Sequence, residues 1–359
     1  MLRAGRTFGT DLDWTFYSVL SRPGRYDDVA RELGATVLHS PVELDDTWAF
    51  VRSMRRALRA ERYDVMHCHH DLVSAVYLAA GTGLGIPRTI VHVHNADMHV
   101  PTGSPRKAAL LREPMRRLCL ETADRIVGIS RHTLETFLHG QPPSPPRDLV
   151  LYYGIDTAAF RATRPDRTEL RRSIGLPDDA RILLFVGRMV NYKNPAFVVD
   201  ILTRLAGDHA NVFAVFAGSG PLMEEIRLRA RAAGIEDRVR VLGWRDDTVG
   251  LMQASDAFIF PRVEDDSEVG IEGLGLVVVE AQAAALRSLL SRGIPDDAIV
   301  LRESCDTLPL SAGSDAWASA VRAILARPQA DPERALEAIE RSEFSLEAGF
   351  RGLTALHRI

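Results

Sequence analysis

The stretch Glu272-Gly273-Leu274-Gly275-Leu276-Val277-Val278-Val279-Glu280-Ala281 reads as a glycine-rich loop running into an apolar helix, with a carboxylate at each end. Glycines let backbone N–H groups come close to a ligand. The unpaired N–H groups at the start of a helix favour a phosphate. Glu280 is then placed to accept hydrogen bonds from ribose hydroxyls. Acids are favoured near helix N-termini in any case, but that preference does not account for Glu272, the glycines and the helix occurring in this order.

Working upstream, two more loops each follow an apolar, β-branched run. Val186-Gly187-Arg188-Met189-Val190-Asn191-Tyr192-Lys193-Asn194 carries an arginine and a lysine five apart before a helix near Pro195. A planar fork and a point charge together suit a diphosphate; two solvated loop cations are the plain alternative. Only Lys107 and Lys193 are lysines among the 44 basic residues. A lysine kept against such a bias carries extra weight. Ala217-Gly218-Ser219-Gly220-Pro221 falls short of a dinucleotide fingerprint and by itself reads as a tight turn.

These loops belong to an alternation of strands and helices. In the second half, Ile182–Val186, Val212–Ala217, Val239–Leu242, Ala257–Phe260, Ser288–Ser291 and Ala298–Leu301 read as strands, with helices over Pro195–Leu205, Leu222–Ala233, Thr248–Ala254 and Leu276–Ala285. In the first half the strands are Thr15–Leu20, Thr36–His39, Val65–His69, Thr89–His94, Arg125–Ile129 and Leu149–Tyr153, interleaved with amphipathic stretches such as Trp48–Glu61 and Pro105–Thr122. Apolar strands alternating with helices predict doubly wound parallel sheets. Pro-rich breaks near 141–147 and 161–167 predict two such domains, residues 1–160 and 161–335, and a helical segment 336–359 that packs back on the first. A parallel sheet of this kind takes ligands at the carboxyl ends of its strands.

Composition narrows the function classes. The chain has 359 residues, 46% of them apolar, and a net charge of −4. That is no footprint for nucleic acid. No apolar run approaches bilayer length, and Met1–Asp13 shows no apolar leader core. Cys68, Cys119 and Cys305 lack pair spacing and read as reduced thiols, which predicts a cytoplasmic protein.

Arg188, Lys193, Gly218 to Pro221, the run Ser255-Asp256-Ala257-Phe258-Ile259-Phe260-Pro261, and Glu272 to Glu280 occur in the order found in family 4 glycosyltransferases, which this chain resembles over nearly its whole length. Glu280-Ala281-Gln282-Ala283-Ala284-Ala285 is similar to the subgroup from capsule and exopolysaccharide clusters. Gly154-Ile155-Asp156 with Phe160 resembles the family's interdomain signature, with Tyr153 where asparagine is usual. The resemblance implies a GT-B fold, two Rossmann-like domains facing across a cleft. It implies transfer of a sugar, with retention, from a UDP- or GDP-sugar to an acceptor hydroxyl, with no metal required. It assigns Arg188 and Lys193 to the donor diphosphate and Glu280 to the ribose. Glu272, with Gly273, Leu274, Gly275 and the helix start at Leu276 and Val277, meets the donor sugar and phosphates. The glycine loop at Gly218 and Gly220 lines the donor site, Gly243 and Trp244 meet the base, and His94 lies beside the sugar. Two departures stand out. Family members begin with a strand and glycine-rich loop ahead of the strand read here at Thr15, and Ala285 and Arg287 replace a usual glycine and proline.

Six of the 11 histidines fall between His67 and His99. His67 and His69 share one strand face, and His92 and His94 another. If the strands are neighbours, four imidazoles converge and would suit a zinc ion; His67-Cys68-His69-His70-Asp71 also loosely resembles metallohydrolases. No carboxylate or cysteine set completes the site, so no metal is expected. Arg52, Arg55, Arg56 and Arg59 share a helix face, and Arg106, Lys107, Arg112, Arg116 and Arg117 lie on another helix. A solvated face is the default; contact with anionic lipid is the alternative and would suit a lipid-linked acceptor. Two rivals to the transferase stay open: a sugar-nucleotide epimerase or phosphorylase on the same fold, and a non-catalytic sugar-nucleotide-binding remnant.

Overall fold

The computed structural model describes residues 12–95, 100, 102, 104–162, 165–207, 210–264 and 272–358. The expected leader-free start, the question of a further N-terminal strand and His99 lie wholly or largely outside these residues. The chain divides into two compact units, Met1–Tyr152 with Glu347–Ile359, and Tyr153–Leu346.

The first unit holds strands β1 (Thr15–Ser18), β2 (Thr36–His39), β3 (Val65–Cys68), β4 (Arg88–Val93), β5 (Arg125–Gly128) and β6 (Asp148–Val150). Its helices are α1 (Asp27–Glu32), α2 (Thr47–Ala60), α3 (Ser74–Gly81), α4 (Pro105–Thr122) and α5 (Arg131–Leu138). β1 and β2 form one parallel pair; β3-β4-β5-β6 form a separate parallel sheet. Asp46 caps α2 by accepting from the Ala49 N–H, and the helix buries Phe50 and Met54 in a core shared with Cys68, Leu72 and Val91. Tyr17 and Val19 pack against that same core.

The second unit contains β7 (Arg181–Val186), β8 (Val212–Ala217), β9 (Val239–Gly243), β10 (Ala257–Phe260), β11 (Ser288–Ser291) and β12 (Cys305–Leu308). Its helices are α6 (Ala158–Ala162), α7 (Arg167–Ser173), α8 (Ala196–Leu205), α9 (Met223–Ala232), α10 (Thr248–Ala254), α11 (Leu276–Ala283), α12 (Gly313–Ala326) and α13 (Pro332–Glu340). The strands pair in parallel in the order β12-β11-β10-β7-β8-β9. β8 and β10 are buried along their whole length, as strands covered on both faces must be. Phe185 packs 5.9 Å from Phe216 and 5.6 Å from Phe260, ring centre to ring centre.

The last helix, α14 (Leu346–His357), lies mostly in the first unit, where Leu353 and Leu356 pack on Ile90, Val127 and Leu151.

Three expectations are corrected. The first boundary falls at Tyr152, not 160, and the last at Leu346, not 335. The reason is local: the Ile155 N–H donates to Phe344 C=O at 2.9 Å, Arg161 pairs with Glu333 and Glu340, and a Cβ on Gly154 would lie 2.5 Å from Leu346 Cα. Residues 298–301 are not a strand; the strand is β12, farther along. The Gln282 side chain takes that segment's backbone groups instead. Its amide donates to Ala298 C=O at 2.7 Å, and its oxygen accepts from the Val300 and Leu301 N–H groups at 2.9 and 2.7 Å.

Candidate functional site

In the second sheet the chain runs β7 to β8 to β9 on one side, then returns to lay β10, β11 and β12 on the other. The reversal lies between β7 and β10, where parallel sheets open a crevice at their carboxyl ends. Lys193 follows β7 and Glu272 follows β10. The Lys193 ammonium lies 2.9 Å from a Glu272 carboxylate oxygen, with side-chain exposures of 11% and 16%. It also stands 5.1 Å from the centre of the Phe260 ring and 5.8 Å from that of Tyr192, so an aromatic surface backs the cation. Arg188 is exposed; its guanidinium donates to the Tyr192 hydroxyl at 2.6 Å and stacks over that ring at 5.7 Å.

The Gly218–Gly220 loop is built for close approach of backbone to backbone. A Cβ on Gly218 would lie 2.0 Å from Gly187 O, and one on Gly220 would lie 2.4 Å from Met189 O. Both have positive φ, 133° and 158°. The Gly218 N–H donates to Gly243 C=O at 2.7 Å, and Met189 N–H to Ser219 C=O at 2.9 Å. The Gly218–Gly220 loop therefore holds the Arg188 loop in place and ties it to the end of β9. Trp244 follows there, 60% exposed, its indole donating to Asp246 at 3.2 Å.

Gly275 precedes α11 with φ 82°. Gly273, Leu274 and Gly275 are buried, and Leu276 and Val277 open the helix. Glu280 lies one turn along, half-buried. Lys193, Glu272 and the glycine loops thus gather at one end of the sheet, with Arg188 and Trp244 at their margin. Phe260 and Tyr192, which back the lysine, carried no signal in the sequence beyond apolar patterning.

The first unit has its own cluster. β3 and β4 are neighbours, and His67, His69, His92 and His94 line up across them, joined by His357 of α14. Desolvation lowers the pKa of each ring. It takes His69 to about 3 and His357 to about 4, and holds His67 and His92 well below the usual imidazole range, with the neighbouring imidazoles adding to the effect around His67, His69 and His92. In His94 burial outweighs the opposing pull of Asp71. All five rings are neutral at pH 7.

Asp71 is not aimed at the rings' nitrogens. One of its oxygens accepts from the His94 and Asn95 backbone N–H groups at 2.6 and 3.2 Å, and the other from the Asn95 side chain at 2.9 Å. Its φ of 45° is held by these bonds. Asp71 anchors the end of β4, a role its sequence context did not disclose.

Two family models match the chain: "Glycosyl transferase 4-like domain" over residues 13–154 and "Glycosyl transferases group 1" over residues 166–339. Among similar proteins, glycosyltransferase EpsF of Bacillus subtilis (strain 168) is 28% identical over 313 residues, 86% of this chain and 79% of that one. The UDP-Gal:alpha-D-GlcNAc-diphosphoundecaprenol alpha-1,3-galactosyltransferase of Escherichia coli is 23% identical over 282 residues, 77% and 70% of the two chains. Among solved structures, Anabaena Alr3699/HepE in complex with UDP and glucose superposes with a TM-score of 0.76 at 17% identity, covering 95% of this chain and 90% of the other. That likeness establishes the GT-B fold.

Proposed function

This chain belongs to the glycosyltransferases made of a 4-like domain followed by a group 1 domain, and from that premise we propose that it moves a sugar from a nucleoside-diphosphate sugar to an acceptor hydroxyl with retention of configuration. The observation that carries the reading is the Lys193–Glu272 pair at the reversal point of the second sheet, beside the glycine-rich start of α11. The bond from the anomeric carbon to the diphosphate oxygen breaks, and the electron pair leaves with the diphosphate. A bond to the acceptor oxygen forms, and the acceptor proton passes to the departing phosphate or to solvent. Lys193, Arg188 and the α11 N-terminus stabilise the charge that develops. Two fixed cations serve where other enzymes use a metal, so the transfer itself needs none. Glu272 receives the donor sugar, Glu280 the ribose, and Gly243 with Trp244 the base. His94 is assigned to the sugar on the family resemblance.

The donor is a UDP- or GDP-sugar. UDP is the first to test, since the Anabaena structure was solved with UDP and glucose. The diphosphoundecaprenol named in the E. coli relative supports a lipid-linked acceptor in polysaccharide or glycoconjugate assembly at the cytoplasmic face of a membrane. No helix among the described residues is long and apolar enough to cross one. The surface of α2 suits peripheral contact: Trp48 is 86% exposed, and Arg52, Arg56 and Arg59 follow it along the same exposed face. Release of UDP or GDP from a panel of donor sugars, with extracted polyprenyl-linked sugars as acceptors, tests the reaction. Turnover that needs an acceptor and falls at least 100-fold in Lys193→Met supports it. Acceptor-free epimerisation, or no turnover of any donor, overturns it.

A further inference from the structure

The first unit holds a second constellation, bordered by His94, the ring assigned above to the donor sugar. One ring nitrogen each from His67, His69 and His92 all lie within 4.8 Å of one another. His67 Nε2 and His92 Nδ1 are 3.1 Å apart. Two nitrogens bound to one tetrahedral zinc at about 2.0–2.1 Å stand about 3.3 Å apart, so this pair already has the bite a zinc ion takes. His69 Nε2 is buried without a hydrogen-bond partner, a loss that a metal bond would make good.

The other nitrogens of His67 and His69 are arranged as ligand supports. His67 Nδ1 lies 2.9 Å from His357 Nε2, and His69 Nδ1 lies 3.0 Å from His94 Nε2. Imidazoles that bind metal commonly fix their orientation by bonding through the other nitrogen. His92 is fully buried, whereas His67 and His69 are only partly so. No carboxylate is among the three, and an all-imidazole set selects zinc, copper or nickel over magnesium and calcium.

We propose that His67, His92 and His69 form a zinc site in the first unit, with His357 and His94 as supporting partners and water or an anion as the fourth ligand. The site binds through His67 Nε2, His92 Nδ1 and the otherwise unpartnered nitrogen of His69. It ties β3 and β4 to the C-terminal helix α14.

The test uses the full chain without a histidine tag, stripped with a chelator and then titrated with Zn2+, and separately with Co2+ as a spectroscopic stand-in. One zinc per chain and an intense visible Co2+ spectrum of tetrahedral type are expected. His69→Asn and His92→Gln lose the site, and His357→Gln weakens it about 10–100-fold. His132→Gln, away from the cluster, leaves it unchanged. Should a variant fail to fold, the Co2+ spectrum of the unaltered chain still decides. An octahedral spectrum, or zinc bound equally by the unaltered chain and His69→Asn, overturns the proposal. None of these readouts depends on sugar transfer.

Discussion

Replacing Glu272 with alanine strips Lys193 of the carboxylate 2.9 Å from its ammonium. Both side chains are largely out of water, at 11% and 16% exposure, so the cation left behind regains little hydration. Breaking a fully buried pair from one side costs about 3–5 kcal/mol. The residual exposure and the Phe260 ring 5.1 Å from the ammonium reduce the expected loss to about 2–3 kcal/mol. In a unit of this size each kcal/mol moves Tm by about 2–4 °C, so the second unit should melt roughly 4–12 °C lower. Lys193→Met combined with Glu272→Leu removes both charges and recovers most of that loss, because apolar replacement of a buried pair is often neutral. It does not recover binding of a nucleoside diphosphate. Circular dichroism melts of the parent, Lys193→Met, Glu272→Leu and the double variant form a cycle that isolates the pair, with Glu272→Ala melted alongside. A coupling below about 0.5 kcal/mol would refute the reasoning.

Asp71→Ala leaves the part-buried His94 N–H without its acceptor, at a cost of about 1 kcal/mol, and should lower the first unit's Tm; an unchanged melt would mean that β4 does not need this anchor. Ala285 has φ 57°, which costs a non-glycine residue about 1–2 kcal/mol, against about 0.8 kcal/mol for burying its methyl group. Ala285→Gly should therefore raise stability by about 0.5 kcal/mol, and a lowered Tm would show that its packing outweighs the strain. Sedimentation with anionic vesicles should capture the protein. Arg52→Ala with Arg56→Ala and Arg59→Ala should weaken that capture by about 3 kcal/mol in total; equal capture by neutral vesicles would remove the charge argument.

Most strands could be read from the sequence, because strands buried on both faces are runs such as Ile182–Val186 and Val212–Ala217 that alternate with helical periodicity. The segment 298–301 was misread because its apolar pattern says nothing of where its N–H groups go. Gln282, 16 or more residues earlier in the chain, captures them. At the site, charge and glycine spacing pointed to Lys193, Glu272 and the α11 loop, and the fold brings these together. For Gly218 and Gly220 the sequence by itself reads as a tight turn and the family resemblance implies the donor site; the structure gives them a reason in the backbone of Gly187 and Met189. His357 was invisible as a partner of His67 because 290 residues separate them. Asp71 was hidden too, since its bonds go mainly to backbone groups just past the end of β4, 23 and 24 residues on.

The central claim is that the end of the second sheet near Lys193 and Glu280 holds a nucleoside diphosphate. Calorimetric titration of the full chain with UDP and with GDP, alongside Lys193→Ala and Glu280→Ala, measures this directly. The account predicts that one of the two nucleotides binds and that both substitutions weaken it at least tenfold. Binding of neither nucleotide, or binding left intact in both variants, would contradict it.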